Sequence, residues 1–376
     1  MRVRAVRWTA FRLPLKRRFV SATGGFAFRE GVLVELRTDE GLIGLGEASP
    51  LARGRRVRPR ELAALFGALA PRIAGRHLED YRTFFLDAPG ADRAALAAVR
   101  CAVDTAVCDA SARAVGVSVA RFLRKTARRS VAVNALIGAL PAREAHEAAL
   151  EARDRGFECV KLKVGMTESA DEEAERVAAV REALGPRREL RVDANGAWSV
   201  EKAALVIRRI ERYRLEFVEQ PIAAGDLDGM RRLREAVATP IAADEDVTDV
   251  DAARRVIECG AAAVLVVKPM VVGGLRAARQ IVDIAEGEGV SVVVTTSVDS
   301  GIGTAAALHL AATLPEASPA CGLSTRDFLA GDLVVRFPTV QAGRMEVPDG
   351  AGLGVELDEG GGALARYGGL TGEALA

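Results

Sequence analysis

From residue 129 to about residue 325 the chain repeats one pattern, a short apolar run followed by an amphipathic stretch. The candidate strands are VAVNALIG (131–138), CVKLKV (159–164), ELRVDAN (189–195), EFVEQP (216–221), PIAADE (240–245), AVLVVKP (263–269), VSVVVTTS (290–297) and a weaker ACGLST (320–325). Between them, stretches such as DEEAERVAAVREAL and SVEKAALVIRRIERY carry apolar residues at helical spacing. Parallel strands need a crossover connection, usually a helix. Regular alternation of this kind predicts a parallel sheet in an α/β fold. Eight such units predict a closed (β/α)7-8 TIM-type barrel over 129–325, with a doubly wound open sheet as the alternative.

Residues 1–128 read differently. VRAVRWTAFRLPL and GVLVELRTDEGLIGLGEAS are strand-like, the latter with a turn at DEG, and Ala-rich helical stretches follow. Strands followed by helices predict a separate N-terminal α+β domain. Residues 326–376 are Gly-rich with short strand-like pieces, and are expected to return to that first domain.

Composition narrows the function classes. Apolar residues make up 49% and the net charge is +1, so a sizeable core is expected and a nucleic-acid or charged-membrane partner is not. The five cysteines, 101, 108, 159, 259 and 321, form no CxxC pair and read as buried free thiols of a reducing compartment. The N-terminal stretch has no signal-like apolar segment, and no apolar run approaches membrane-helix length, so a cytoplasmic protein is expected.

The basic residues are lopsided. Of 52 Lys+Arg only six are lysine: Lys16, Lys125, Lys161, Lys163, Lys202 and Lys268. Lys161 and Lys163 sit two apart in one apolar run, so a strand would send both to the same buried face. Arginine stays charged, whereas a partly buried lysine can shift its pKa and act as a base. In a barrel of this type chemistry belongs at the C-terminal ends of the strands. There the sequence puts Asp193 and Asn195 on the third strand, Glu219 on the fourth, Asp244 and Glu245 on the fifth, and Lys268 on the sixth. Converging carboxylates need neutralising. All-oxygen ligation by Asp193, Glu219 and Asp244 suits Mg2+, with Mn2+ as a substitute. Zinc is disfavoured because His77, His146 and His309 all lie outside the cluster and read as surface or packing residues.

A cation held between lysines of strands two and six suggests proton transfer at carbon, next to a carboxylate of a small-molecule substrate. The metal would stabilise the enediolate. A lysine desolvated beside other cations can be neutral and serve as the base. A purely structural ion network is the competing reading, and the number of such residues at consecutive strand ends weighs against it. GLGEAS and GIGTAA are incomplete glycine fingerprints and carry no dinucleotide site. Ser297 lacks a histidine partner in the sequence and does not suggest a hydrolytic triad.

KLKVG, VDANGAW, VEQP, ADED and VVKP, in that order over 158–269, resemble the enolase superfamily, in its muconate-lactonizing-enzyme subgroup. GLGEASPL resembles the capping-domain segment of these enzymes. The resemblance implies Mg2+ ligation by Asp193, Glu219 and Asp244, Lys163 as base with Lys161 supporting it, and Lys268 facing the opposite side of the substrate. Asn195 and Glu245 would stand behind the ligands, and cap loops near 16–29 and 48–56 would set specificity. Homo-oligomers are common among such barrels. ACGLST and TTSVDSGIGTAAALHLAATLP look most like the o-succinylbenzoate synthases, which act in menaquinone and phylloquinone biosynthesis. Dipeptide epimerases carry an Asp-x-Asp on strand eight, where this chain has Gly322 and Ser324. Main-chain N–H groups around Ser297 to Gly303 would then bind a second substrate carboxylate, with Ser297 and Gly322 as substrate-binding positions. N-succinyl amino acid racemases and dipeptide epimerases are the alternative within the subgroup, other lactone or acid-sugar enzymes a further one, and a non-catalytic binding barrel the alternative outside it.

Overall fold

The computed structural model describes residues 1–21, 24–51, 57–84, 90–358 and 370–376. The chain opens with β1 (Val3–Ser21), β2 (Gly24–Thr38) and β3 (Ile43–Ala48), which form an antiparallel meander. The β1–β2 register shifts between Pro14 and Phe19, where Pro14 has no N–H to give the ladder. Two helices pack on the sheet, α1 (Pro59–Ile73) and α2 (Arg93–Ala114), the second capped by the Asp92 carboxylate on the N–H groups of Ala94 and Ala95. The glycines of GLGEAS serve this packing. A Cβ on Gly44 or Gly46 would run into the carbonyls of Ala106 and Ala102 on α2. A short α3 (Val119–Leu123) leads out of this cap.

The barrel follows as β4 (Ser130–Ala132), β5 (Ala135–Ile137), α4 (Ala142–Asp154), β6 (Cys159–Lys163), α5 (Ala170–Leu184), β7 (Glu189–Asp193), α6 (Val200–Ile210) and β8 (Val218–Glu219). It continues as α7 (Leu227–Ala236), β9 (Ile241–Ala243), α8 (Val250–Glu258), β10 (Val264–Val267), α9 (Pro269–Val272), α10 (Leu275–Gly287), β11 (Ser291–Val294) and α11 (Gly301–Ala311). Strands β5 to β11 make one parallel sheet in chain order, as expected from the alternation.

Two of the eight runs behave differently. VAVNALIG divides at Val133–Asn134: β5 joins the parallel sheet, while β4 pairs antiparallel elsewhere. ACGLST forms no strand. Cys321 and Gly322 instead bridge the two edges of the sheet, singly, to Val133 and Thr295. Four short strands follow: β12 (Val334–Arg336), β13 (Val340–Gln341), β14 (Arg344–Glu346) and β15 (Glu356–Leu357). Strand β14 takes β4 as its partner, and β12 pairs with β15. The last strand, β16 (Thr371–Leu375), lies against β1 of the cap.

The barrel interior is packed. Phe217, Ala242, Val264, Val266 and Val293 form its apolar layer. Arg191, 1% exposed, lies with its guanidinium 4.6 Å from the Phe217 ring. It donates to Glu216 Oε2 at 2.5 Å and to the Ala320 carbonyl at 2.7 Å. Four of the five cysteines are buried free thiols, whereas Cys259 is exposed. Among the described residues no helix is long and apolar enough to cross a membrane.

Candidate active site

Strand alternation puts Lys161 and Lys163 on one side of β6 while Val160 and Leu162 pack into the core. The parallel register then sets Lys163 beside Asp193 and Asp193 beside Glu219. Asp193 and Glu219 are each 1% exposed and Asp244 is 5% exposed. Lys161 Nζ bonds both oxygens of Glu219, at 2.9 and 3.0 Å, and lies 3.3 Å from Asp193 Oδ2. Lys163 Nζ is 2.5 Å from Asp193 Oδ2 and 2.8 Å from Asn195 Oδ1. On the other side, Lys268 Nζ meets both oxygens of Asp244 at 2.5 Å. Asn195 donates to Glu245 Oε1 at 3.2 Å.

The electrostatics separates the two lysines of β6. Burial pulls Lys163 below the ordinary lysine range; Asp193 opposes this, and the neighbouring Lys161 ammonium adds to it. Lys161 is also buried, yet the carboxylates of Glu219, Asp193 and Asp244 hold it above that range. Burial and the Asp193 charge push Glu219 up to about 7. Asp193 is buried as well, but Lys163 and Lys161 keep it ionised, well below the usual carboxylate range.

All of the sequence-predicted site residues except Glu219 line one cavity of about 1210 Å³ between the barrel and the cap. Glu219 lies behind Lys161, whose ammonium covers its carboxylate. Of the expected cap segments, Arg18, Phe19, Phe26, Arg29 and Leu51 reach the cavity, while residues 22–23 and 52–56 lie outside the described residues. As the side chains stand, ammonium groups occupy the carboxylates. Among the described residues no three His, Cys, Asp or Glu side chains already converge at metal-ligand spacing. The donor set nonetheless fits a hard divalent cation: three buried carboxylates, all oxygen, on adjacent strand ends.

One expectation needs correcting. The N–H groups that open α11 are not available to a ligand. Ser300 and Gly303 donate to Glu47, Gly301 to Asp332, and Ile302 to Ser300 Oγ. The Ser297 N–H donates to Asp299 Oδ1 at 3.2 Å. A carboxylate from the cap already occupies the helix end that the sequence offered to substrate.

Other residues shape the site without having been singled out. Gln220, fully buried at φ +36°, accepts the N–H groups of Asp244 and Glu245 at 3.0 Å each. Its amide donates to the Ile222 carbonyl and to Asp246. Its signal was a polar residue between a strand-end acid and a proline in VEQP. On α5, Glu173 accepts the N–H groups of Gly165 and Met166 at 2.7 and 3.0 Å. Arg176 bonds Glu173 and donates to the Lys163 carbonyl at 2.6 Å. This pair fixes the loop that ends β6, and nothing in the helical pattern marks it.

Residues 4–123 match the mandelate racemase / muconate lactonizing enzyme N-terminal domain, and residues 144–361 match the enolase C-terminal domain-like family. The chain is 36% identical over 327 residues to an o-succinylbenzoate synthase of Thermobifida fusca, covering 86% of this chain and 82% of that protein. It is 33% identical over 369 residues to an N-succinylamino acid racemase of Thermus thermophilus, covering 95% of each. A dipeptide epimerase of Enterococcus faecalis V583, solved with Mg and the dipeptide L-Leu-L-Tyr, superposes with a TM-score of 0.87 at 26% identity, covering 95% of this chain and all (100%) of that one. The chain therefore belongs to the enolase superfamily, in its muconate lactonizing enzyme subgroup.

Proposed function

We propose that this chain is an o-succinylbenzoate synthase: a lyase that dehydrates 2-succinyl-6-hydroxy-2,4-cyclohexadiene-1-carboxylate in menaquinone or phylloquinone biosynthesis. The observation that carries the reading is the pairing of Lys163 and Lys268, from either side of the carboxylates, with Gly322 and Ser324 where an acidic pair would hold an ammonium group. Ser324 is turned instead to the Asn134 carbonyl, at 3.1 Å. With Lys163 neutral as the base, Lys161 and Lys268 offset two of the three carboxylates. With a divalent cation in place the site is positive, which favours a dianion over a substrate bearing an ammonium.

Asp193, Glu219 and Asp244 would hold the cation, which when bound would grip the substrate carboxylate and stabilise the charge left as the α-proton departs. Lys163, desolvated and low in pKa, takes that proton. The same ammonium then returns it to the leaving hydroxyl on the same face. Lys268 stays protonated opposite and offsets the developing negative charge. Lys161 bonds Glu219 and lies beside Asp193, holding the two carboxylates in place.

The test is loss of the diene absorbance with Mg2+ present. Turnover abolished by a chelator and restored by Mg2+ is the expected result. A racemase or epimerase reading is favoured by the likeness to the T. thermophilus protein and by the two lysines themselves, which could exchange protons on opposite faces. No diene loss, together with deuterium entering the α-carbon of N-succinyl amino acids in D2O, would select it.

A further inference from the structure

We propose that Arg29 and Glu47, both in the cap, are positioning residues that hold the barrel turn Ser297–Ser300 in its working shape. The turn lines the cavity through Ser297 and Val298. Val298 is a β-branched residue at φ +61°, a left-handed conformation that such side chains rarely adopt. Strain of this kind persists only where the surroundings over-determine it, and here they come from the cap.

Arg29 is 3% exposed. Its Nε donates to the Val298 carbonyl at 3.0 Å, Nη2 bonds the Ser49 carbonyl, and the guanidinium lies 3.9 Å from Asp299. Glu47 is 2% exposed and sits on the next strand of the cap. Its Oε1 accepts from the Ser300 N–H at 3.1 Å and its Oε2 from the Ser300 hydroxyl at 2.5 Å and the Gly303 N–H at 2.9 Å. The Ser49 hydroxyl supports it at 2.5 Å. A Cβ at position 303 would stand 2.9 Å from the Glu47 carboxylate, so a glycine there is what lets that carboxylate reach the helix.

Cap and barrel are thus tied at a strained turn of the cavity wall, and docking of the cap sets the shape of the wall that faces the distal end of a substrate. The identity of that substrate rests on the reading proposed above; the tie between the two domains does not.

The experiment measures hydrogen exchange in peptides covering 295–305, alongside KM and kcat for the proposed cyclohexadiene substrate, in Arg29→Met, Arg29→Lys and Glu47→Gln. Arg29→Met is expected to speed exchange in that segment selectively. It should also raise KM by about tenfold with kcat changed less than about threefold, as expected for lost positioning of a remote group. Arg29→Lys should recover part of both effects. If Arg29→Met does not fold, Glu47→Gln carries the same expectation with the shape of the side chain kept. Unchanged exchange at 295–305 would overturn the proposal, as would faster exchange throughout the molecule with KM unaltered, which would mark a merely structural role. If the wild-type protein does not turn over the substrate, the exchange result still decides the role of Arg29 and Glu47, and the missing turnover counts only against the synthase reading.

Discussion

Arg176 donates to the main-chain carbonyl of Lys163 at 2.6 Å, so the strand end that presents the proposed base is anchored by the helix that follows it. Arg176 is 7% exposed, and its partner Glu173 is fully buried. Arg176→Met leaves that carboxylate without its cation. Breaking a buried pair on one side typically costs about 3–5 kcal/mol. A matching fall in the denaturant midpoint is expected, and an unchanged midpoint would show that the pair contributes little.

Lys163→Ala should lower turnover by on the order of 10²–10⁴-fold for a lost general base, and Lys268→Ala by about 10²–10³-fold for lost stabilisation of the developing charge. Lys163→Arg is the sharper variant. It keeps the charge but cannot lose its proton at neutral pH, so it should fail as badly as alanine. Near-normal turnover by Lys163→Arg in the diene assay would remove Lys163 from the role of base.

Gln220 holds the main-chain N–H groups of Asp244 and Glu245, and so aims the end of β9 at the other carboxylates. Gln220→Ala should weaken Mg2+ binding by about 10–100-fold, the usual cost of losing a group that orients a ligand. The measurement is the Mg2+ concentration that half-saturates the rise in melting temperature, a readout that needs no substrate. An unchanged midpoint would separate Gln220 from the proposed metal site.

His309 gives a pH dependence remote from the cavity. The ring is fully buried; Nδ1 accepts the Ala120 N–H at 3.2 Å and Nε2 donates to the Leu353 carbonyl at 3.0 Å. Burial lowers its pKa to about 4 from an ordinary 6.5. Between those values the unfolded chain binds more protons than the folded one. The stability that the neutral ring contributes is therefore complete above pH 6.5 and is lost as the pH falls toward 4, by up to about 3 kcal/mol. Denaturant titrations across that range should show the slope in the wild type and a shallower one in His309→Gln.

What the sequence made legible followed short-range rules. The strand–helix alternation gave the parallel sheet and the lysine pair gave one inward face. The spacing of Asp193, Glu219 and Asp244 put them on successive strand ends, where the structure brings them together with Lys161, Lys163 and Lys268. What stayed hidden depended on residues far apart in the chain. Nothing near Ser300 announces that Glu47, 253 residues earlier, fills its helix end. VAVNALIG looked like one strand because apolar pattern does not show that its halves serve different sheets. ACGLST looked like a strand because its place in the order required one, whereas single bridges at Cys321 and Gly322 suffice to join the edges.

The packed floor of the barrel also has a bearing on isotopes. Arg191 and the layer around Phe217 plug the channel below the lysines, so among the described residues the cavity opens toward the cap. Under the proposed mechanism, a proton lifted by Lys163 would therefore trade with solvent from the cap side of the cavity and not through the barrel floor.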